Sequence, residues 1–154
     1  MRFFLFDRIL EAERGRRMVA TKLIGLMDGY FEGHYPRQAA LPATMALEAL
    51  AQVAGMLNTY NHDCAAEMVL MLVDGVQLYR PLQQGELLRL EATMLYDHPY
   101  GATMNGQICV GDEVVLSAER IVFAHELTSD PAKIGRCRER FHYQTAGFPF
   151  AERE

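Results

Sequence analysis

The stretch that decides the fold reads Gly33-His34-Tyr35-Pro36-Arg37-Gln38-Ala39-Ala40-Leu41-Pro42-Ala43-Thr44-Met45-Ala46-Leu47-Glu48-Ala49-Leu50-Ala51-Gln52-Val53-Ala54-Gly55. It has three parts: a turn built on Gly33 and Pro36 that holds His34, a loop ending at Pro42, and a nearly uncharged segment whose one charged side chain is Glu48. The third part is mostly Ala, Leu, Met and Gln, all good helix formers. Pro42 suits a first helical turn, where a missing N–H costs nothing. The pattern continues to about Tyr60, and roughly 18 residues at about 1.5 Å each make a rod of about 27 Å, long enough to cross a small domain. Met45, Leu47, Leu50, Ala51, Val53, Ala54 and Leu57 go almost all the way round it. A helix that is apolar all round is a buried one.

Glu48 is costly in such a helix unless something compensates for its burial. Gln52, four residues on, shares its face. Burial penalises the charged form of a carboxyl, and an acid held protonated can donate a proton near neutrality. Taken one residue at a time, bland readings remain open: a His in a Gly-x-Tyr-Pro turn is compatible with a structural role, and a Glu on a helix with a solvent-facing one. The combination of a His on a tight turn, a short loop and an acid inside an apolar helix points equally to an acid/base pair.

The rest of the chain bounds these readings. Its 154 residues suit one domain with a real core. Half the residues are hydrophobic and the net charge is -5, which argues against a general nucleic-acid role. Cys64, Cys109 and Cys137 are scattered without metal-type spacing and read as reduced thiols in a cytoplasm. The N-terminus lacks the features of a signal peptide, and no apolar run is long enough for a membrane span. Asn61-His62-Asp63-Cys64 holds metal-capable residues, but adjacent ligands seldom converge on one ion, so it reads as a loop and no metal is expected.

Strands are expected over Phe3 to Leu10 and Arg16 to Ile24, joined at Glu13-Arg14-Gly15, whose charges suit an exposed tip. Leu26 to Glu32 is a connector. After the helix, Met68 to Tyr79 reads as a long strand bent near Asp74-Gly75. Glu86 to Tyr96 alternates, with Leu88, Leu90, Ala92, Met94 and Tyr96 on one face. Ala102 to Val110 and Val114 to Phe123 form a hairpin about Gly111-Asp112. Two strands, one long helix and four strands predict an α+β domain, one antiparallel sheet of about six strands curled round the helix. No Lys or Arg occurs between Arg37 and Arg80, so that segment is expected to form the core and a subunit interface. Asp130-Pro131 starts a short helix to about Tyr143, placing a domain over 1–126 and a C-terminal extension over 127–154.

The opening stretch resembles the active-site segment of the bacterial 3-hydroxyacyl-acyl-carrier-protein dehydratases, the FabZ-like family of hot-dog fold proteins. That family carries Gly-His-Phe-Pro, a loop ending Pro-Gly, and a helix reading roughly Leu-Glu-Ala-Leu-Ala-Gln; this chain has Gly33-His34-Tyr35-Pro36, Leu41-Pro42-Ala43 and Leu47-Glu48-Ala49-Leu50-Ala51-Gln52. Phe4-Leu5-Phe6-Asp7-Arg8-Ile9-Leu10 resembles its opening strand, and Tyr79-Arg80-Pro81 with Gln84-Gly85-Glu86 its Arg-Arg-Pro and Pro-Gly-Asp signature. The resemblance covers about Phe3 to Phe123.

The resemblance implies a hot-dog fold and reversible dehydration of 3-hydroxyacyl thioesters to trans-2-enoyl thioesters, in fatty-acid or specialised lipid or polyketide synthesis. It implies His34 as base, Glu48 as acid, the Ala43 backbone N–H on the thioester oxygen, and Tyr35, Pro36, Leu41 and Gln52 along the substrate loop or tunnel. No cofactor is implied beyond the phosphopantetheine arm of an acyl carrier protein, and the chain is expected to form a homodimer or a trimer of dimers. Ala43 stands where the family usually has Gly, and Arg37-Gln38-Ala39 replaces a loop richer in Gly and Pro. Lys133, Arg136, Arg138 and Arg140 make the extension basic, so it either packs on the sheet or docks the carrier's acidic surface. Two other functions stay open: a hot-dog thioesterase using the acid to activate water, and a non-catalytic partner subunit of a dehydratase.

Overall fold

The apolar segment after Pro42 forms helix α1, Ala43–Asn61, with ten buried residues that include Leu50, Val53, Ala54 and Leu57. The computed structural model describes residues 4–25, 40–145 and 148. Around α1 lie strands β1 (Arg8–Glu13), β2 (Arg17–Leu23), β3 (Ala40–Leu41), β4 (Ala66–Leu78), β5 (Leu82–Gln83), β6 (Leu87–His98), β7 (Gly101–Val110) and β8 (Glu113–Leu127). Six of them form one sheet in the order β1-β2-β6-β7-β8-β4, and β3 pairs with β5 separately. All the pairings are antiparallel. The expected α+β architecture is therefore the one observed.

The sheet curls over α1 because its strands carry small and apolar residues on that face. Leu88, Leu90, Ala92, Met104, Ile108 and Leu116 are fully buried in the same core as Leu50. Gly106 in β7 lets the helix come close: a Cβ there would lie 2.9 Å from Leu50 Cδ1. Val110 and Glu113 pair across the expected two-residue turn, where Gly111 takes φ 58°, the left-handed conformation that such hairpins need.

Three expectations are corrected. The first strand begins at Arg8, not Phe3, because the Leu5 N–H donates to Gln52 Oε1 at 3.0 Å instead of to a neighbouring strand. In β6 the alternation ends at Met94: the register with β7 shifts between Met94 and Tyr96, and Tyr96 is 75% exposed. One extra residue turns the side chains beyond it to the other face. The tip between β1 and β2 exposes Glu13, Gly15 and Arg16 but turns Arg14 inward. Arg14 Nη1 donates to the Tyr60 carbonyl at 2.5 Å, its Nη2 pairs with Asp63 at 2.6 Å, and the guanidinium sits 4.5 Å from the Tyr60 ring centroid. The last turn of α1 contains no basic residue of its own, so Arg14 supplies the cation that complements the helix's negative end.

In β4, where a bend is expected near Asp74-Gly75, Gly75 takes φ 62°, while the register shift falls between Leu70 and Leu72. β4 lies at the sheet edge beside β8. Val69 and Met71 are 64% and 63% exposed, with Leu70, Leu72, Val76 and Leu78 also exposed. After β8 comes α2, Pro131–Gln144, capped as expected by Asp130, whose side chain accepts from the Ala132 N–H. Its one buried residue, Phe141, stacks on Tyr60 with ring centroids 6.0 Å apart.

Candidate active site

Glu48 departs from expectation: on this single chain it is exposed, not buried. Ala46, Ala49 and Leu50 beside it are fully buried, so α1 has a narrow open strip and Glu48 stands on it. The shared face predicted with Gln52 is realised as a hydrogen bond, Gln52 Nε2 donating to Glu48 Oε1 at 3.0 Å. The amide orientation follows from chemistry. The Leu5 N–H can only donate, so Gln52 Oε1 faces it at 3.0 Å, and Nε2 is left facing Glu48. Gln52 thus ties the acid to the N-terminal segment, a contact that no local sequence pattern announces.

Glu48 and Gln52 open into a cleft of about 740 Å³. Its floor includes Phe6, Ala51, Gly55, Met56 and Phe123, and its far wall is α2, with Lys133, Arg136, Arg140 and Phe141. An apolar floor with a few polar groups on one side is the general form of a small-molecule site. The extension therefore shares the cleft with the candidate acid. Cys64 and Cys137 also line it. Hydrogen bonding to Cys64, aided by Arg140 and Arg138, holds the Cys137 thiol below its usual range. The same hydrogen bond and burial push Cys64 up.

Ala43 is the first residue of α1. Its N–H is one of the four at a helix start with no intrahelical acceptor. The described residues with positive φ outside glycine are Asp63 and Cys64, so Ala in place of the family's Gly carries no strain at this position. Leu41 joins the core at 4% exposure. It sits in β3, opposite Leu82 of β5. The Tyr79-Arg80-Pro81 and Gln84-Gly85-Glu86 signature anchors that ribbon. Arg80 pairs with Glu86 at 2.9 Å and Glu113 at 3.0 Å, and Glu86 accepts the Gln83 N–H at 2.7 Å. Through β5 and β3 this clamp holds the chain immediately before Pro42. His34, Tyr35, Pro36 and Arg37-Gln38-Ala39 lie outside the described residues.

A long helix wrapped by a six-stranded antiparallel sheet defines a hot-dog fold protein. Solved structures agree. One is a chain of the dehydratase heterocomplex ApeI:P from Xenorhabdus doucetiae, with TM-score 0.65, 14% identity, and 86% of this chain and 87% of that chain covered. Another is a hypothetical thioesterase with coenzyme A from Streptococcus pneumoniae, with TM-score 0.64, 11% identity, and 80% and 88% covered. At such identities the likeness speaks for the fold.

The family follows from the sequence match: the FabA-like domain model covers residues 1–119, and the chain belongs to that family. The 3-hydroxyacyl-acyl-carrier-protein dehydratase FabZ of Symbiobacterium thermophilum is 33% identical over 133 residues, 85% of this chain and 94% of that protein. Its counterpart in Anaeromyxobacter dehalogenans is 36% identical over 121 residues, 76% and 78% of the two chains.

Proposed function

We propose that the chain is a hydro-lyase that reversibly dehydrates 3-hydroxyacyl thioesters carried on an acyl carrier protein. The observation that carries this reading is Glu48 at the mouth of the cleft, its Oε1 held by Gln52, in a chain that aligns along most of its length with FabZ proteins. His34, as a neutral imidazole, takes the proton from C2. Glu48 gives its proton to the C3 hydroxyl, which leaves as water. The double bond forms between C2 and C3, and reversal of these transfers hydrates it again. Charge building on the thioester oxygen is met by the Ala43 N–H and the positive end of α1.

The acid and base come from different protomers in this reading, so the dimer is the catalytic unit. The exposed apolar edge β4 supports pairing of two sheets edge to edge, because an unpaired edge is a ready template for another strand. Lys133, Arg136 and Arg140 on the cleft wall suit the acidic carrier. Truncation before Thr128 would therefore slow turnover of carrier-bound substrate more than of pantetheine-bound substrate, and an unchanged ratio would rule docking out. The free thiols Cys64, Cys109 and Cys137 fit a reducing cytoplasm. Among the described residues no helix is long and apolar enough to cross a membrane.

The deciding test is crotonyl-thioester hydration, followed by loss of enoyl absorbance. Wild type should turn over, and His34→Ala and Glu48→Ala should each lose about 10²- to 10⁴-fold, the usual worth of a positioned acid or base. Release of free thiol without hydration would overturn the reading in favour of a thioesterase. A folded dimer inert on both would point to a non-catalytic partner subunit.

A further inference from the structure

The C-terminal end of α1 is some 14 residues, about 21 Å of helix, from Glu48, and it carries a second cluster. The Asn61-His62-Asp63-Cys64 segment contributes one member, His62, just beyond the helix. The other two come from distant strands: Asp97 on β6 and His125 on β8. One donor atom from each lies within 4.8 Å of the others. His62 Nε2 and Asp97 Oδ1 are 2.9 Å apart, and the two imidazoles meet edge to face with centroids 4.7 Å apart.

His125 is the telling residue. It is 6% exposed, and its Nε2 is buried with no hydrogen-bond partner. Buried ring nitrogens are costly to leave unmatched. Its Nδ1 faces Asn58 Nδ2 at 3.1 Å, while Asn58 Oδ1 is likewise buried and unmatched. A half-turn of the Asn58 amide exchanges its oxygen and nitrogen. Oδ1 then accepts from His125 Nδ1–H, which leaves the lone pair on Nε2, the nitrogen without a partner. An outer acceptor of this kind orients a metal-bound imidazole. Asp97 has the equivalent support, its Oδ2 accepting from Asn61 Nδ2 at 2.8 Å.

We infer that His62, Asp97 and His125 form a binding site for a divalent transition metal ion, zinc being the best match, which staples the end of α1 to β6 and β8. Two imidazoles and a carboxylate are a common zinc donor set, with ligand bonds of about 2.0–2.2 Å. Donor atoms this close reach that geometry by small side-chain rotations, with water completing the coordination on the open side of Asp97. The ion displaces the hydrogen bond between His62 and Asp97 and gives His125 Nε2 a partner.

The test uses the full-length, tag-free, metal-free chain titrated with Zn²⁺ by calorimetry and with Co²⁺ by visible absorption. One zinc per chain is expected, with Co²⁺ bands that lack thiolate charge transfer and a melting temperature that rises with zinc. His62→Gln and Asp97→Asn, both outside the buried core, should each weaken zinc more than about tenfold and keep a native circular dichroism spectrum and crotonyl-thioester hydration. Cys137→Ser should bind as wild type does. The inference is overturned if wild type shows no saturable binding, if both ligand variants bind as wild type does, or if Cys137→Ser alone abolishes binding, which would move the ion to the thiols.

Discussion

The two helices were built by opposite rules. α1 has ten buried residues and one charged side chain, so the sheet has to close round it. α2 has one buried residue, Phe141, and carries Lys133, Arg136, Arg138, Glu139 and Arg140. Its contacts with the body include that ring against Tyr60, Ile134 and Cys137 packed against the core, the ion pair of Lys133 with Glu67 at 2.7 Å, and the thiol contact of Cys137 with Cys64. An exposed ion pair is worth little. Burial in α1 is therefore expected to carry more of the global stability than burial in α2, which crosses the cleft with one buried residue. Between them they line the cleft, α1 contributing Glu48 and α2 the basic wall.

That contrast can be broken, the hardest blow first. Leu50→Ala removes a fully buried side chain of α1 and should cost about 2–5 kcal/mol, read as a lower urea midpoint for the whole chain. Gly106→Val presses on the same contact from the sheet side and should cost about 1–3 kcal/mol by overpacking. Phe141→Ala should instead speed hydrogen exchange along 131–144 and leave the sheet's exchange almost unchanged. Equal loosening of both would show that α2 is part of the global unit.

Smaller effects sharpen the division of roles. Gln52→Ala frees the Glu48 carboxylate and the Leu5 N–H together. It should lower kcat/KM for crotonyl-thioester hydration by less than Glu48→Ala does. On α2, alkylation of Cys137 by iodoacetamide should rise with pH at a midpoint below the free-thiol value of about 8.5. Cys64→Ala should move that midpoint upward, because the hydrogen bond from Cys64 is the main force holding it down.

Much of this molecule was legible in its sequence. α1 from Ala43, the hairpin at Gly111-Asp112, the Asp130 cap of α2 and the Glu48–Gln52 pair were all readable, because each is a local pattern with a period of 3.6 or 2 or a fixed offset. The extension was readable as a helix, but its place beside Glu48 was not. The exposure of Glu48 was misjudged for a related reason. An apolar helix composition averages over all faces, and only the position of the sheet's opening says which residue stands on the uncovered strip.

By itself, then, the sequence determined the six long strands and two helices, their order and the family, but not the short β3–β5 ribbon. Backbone geometry repeats over a few residues, and the side chains that satisfy it must repeat with it. The tertiary structure alone decided that Arg14 turns in to cap α1, that Leu5 fixes Gln52, that the register shift after Met94 leaves Tyr96 outward, and that His62 meets Asp97 and His125. These contacts join residues far apart in the chain. They are set by packing register, the sum of many small terms spread over the whole core, and no short stretch of sequence carries that sum.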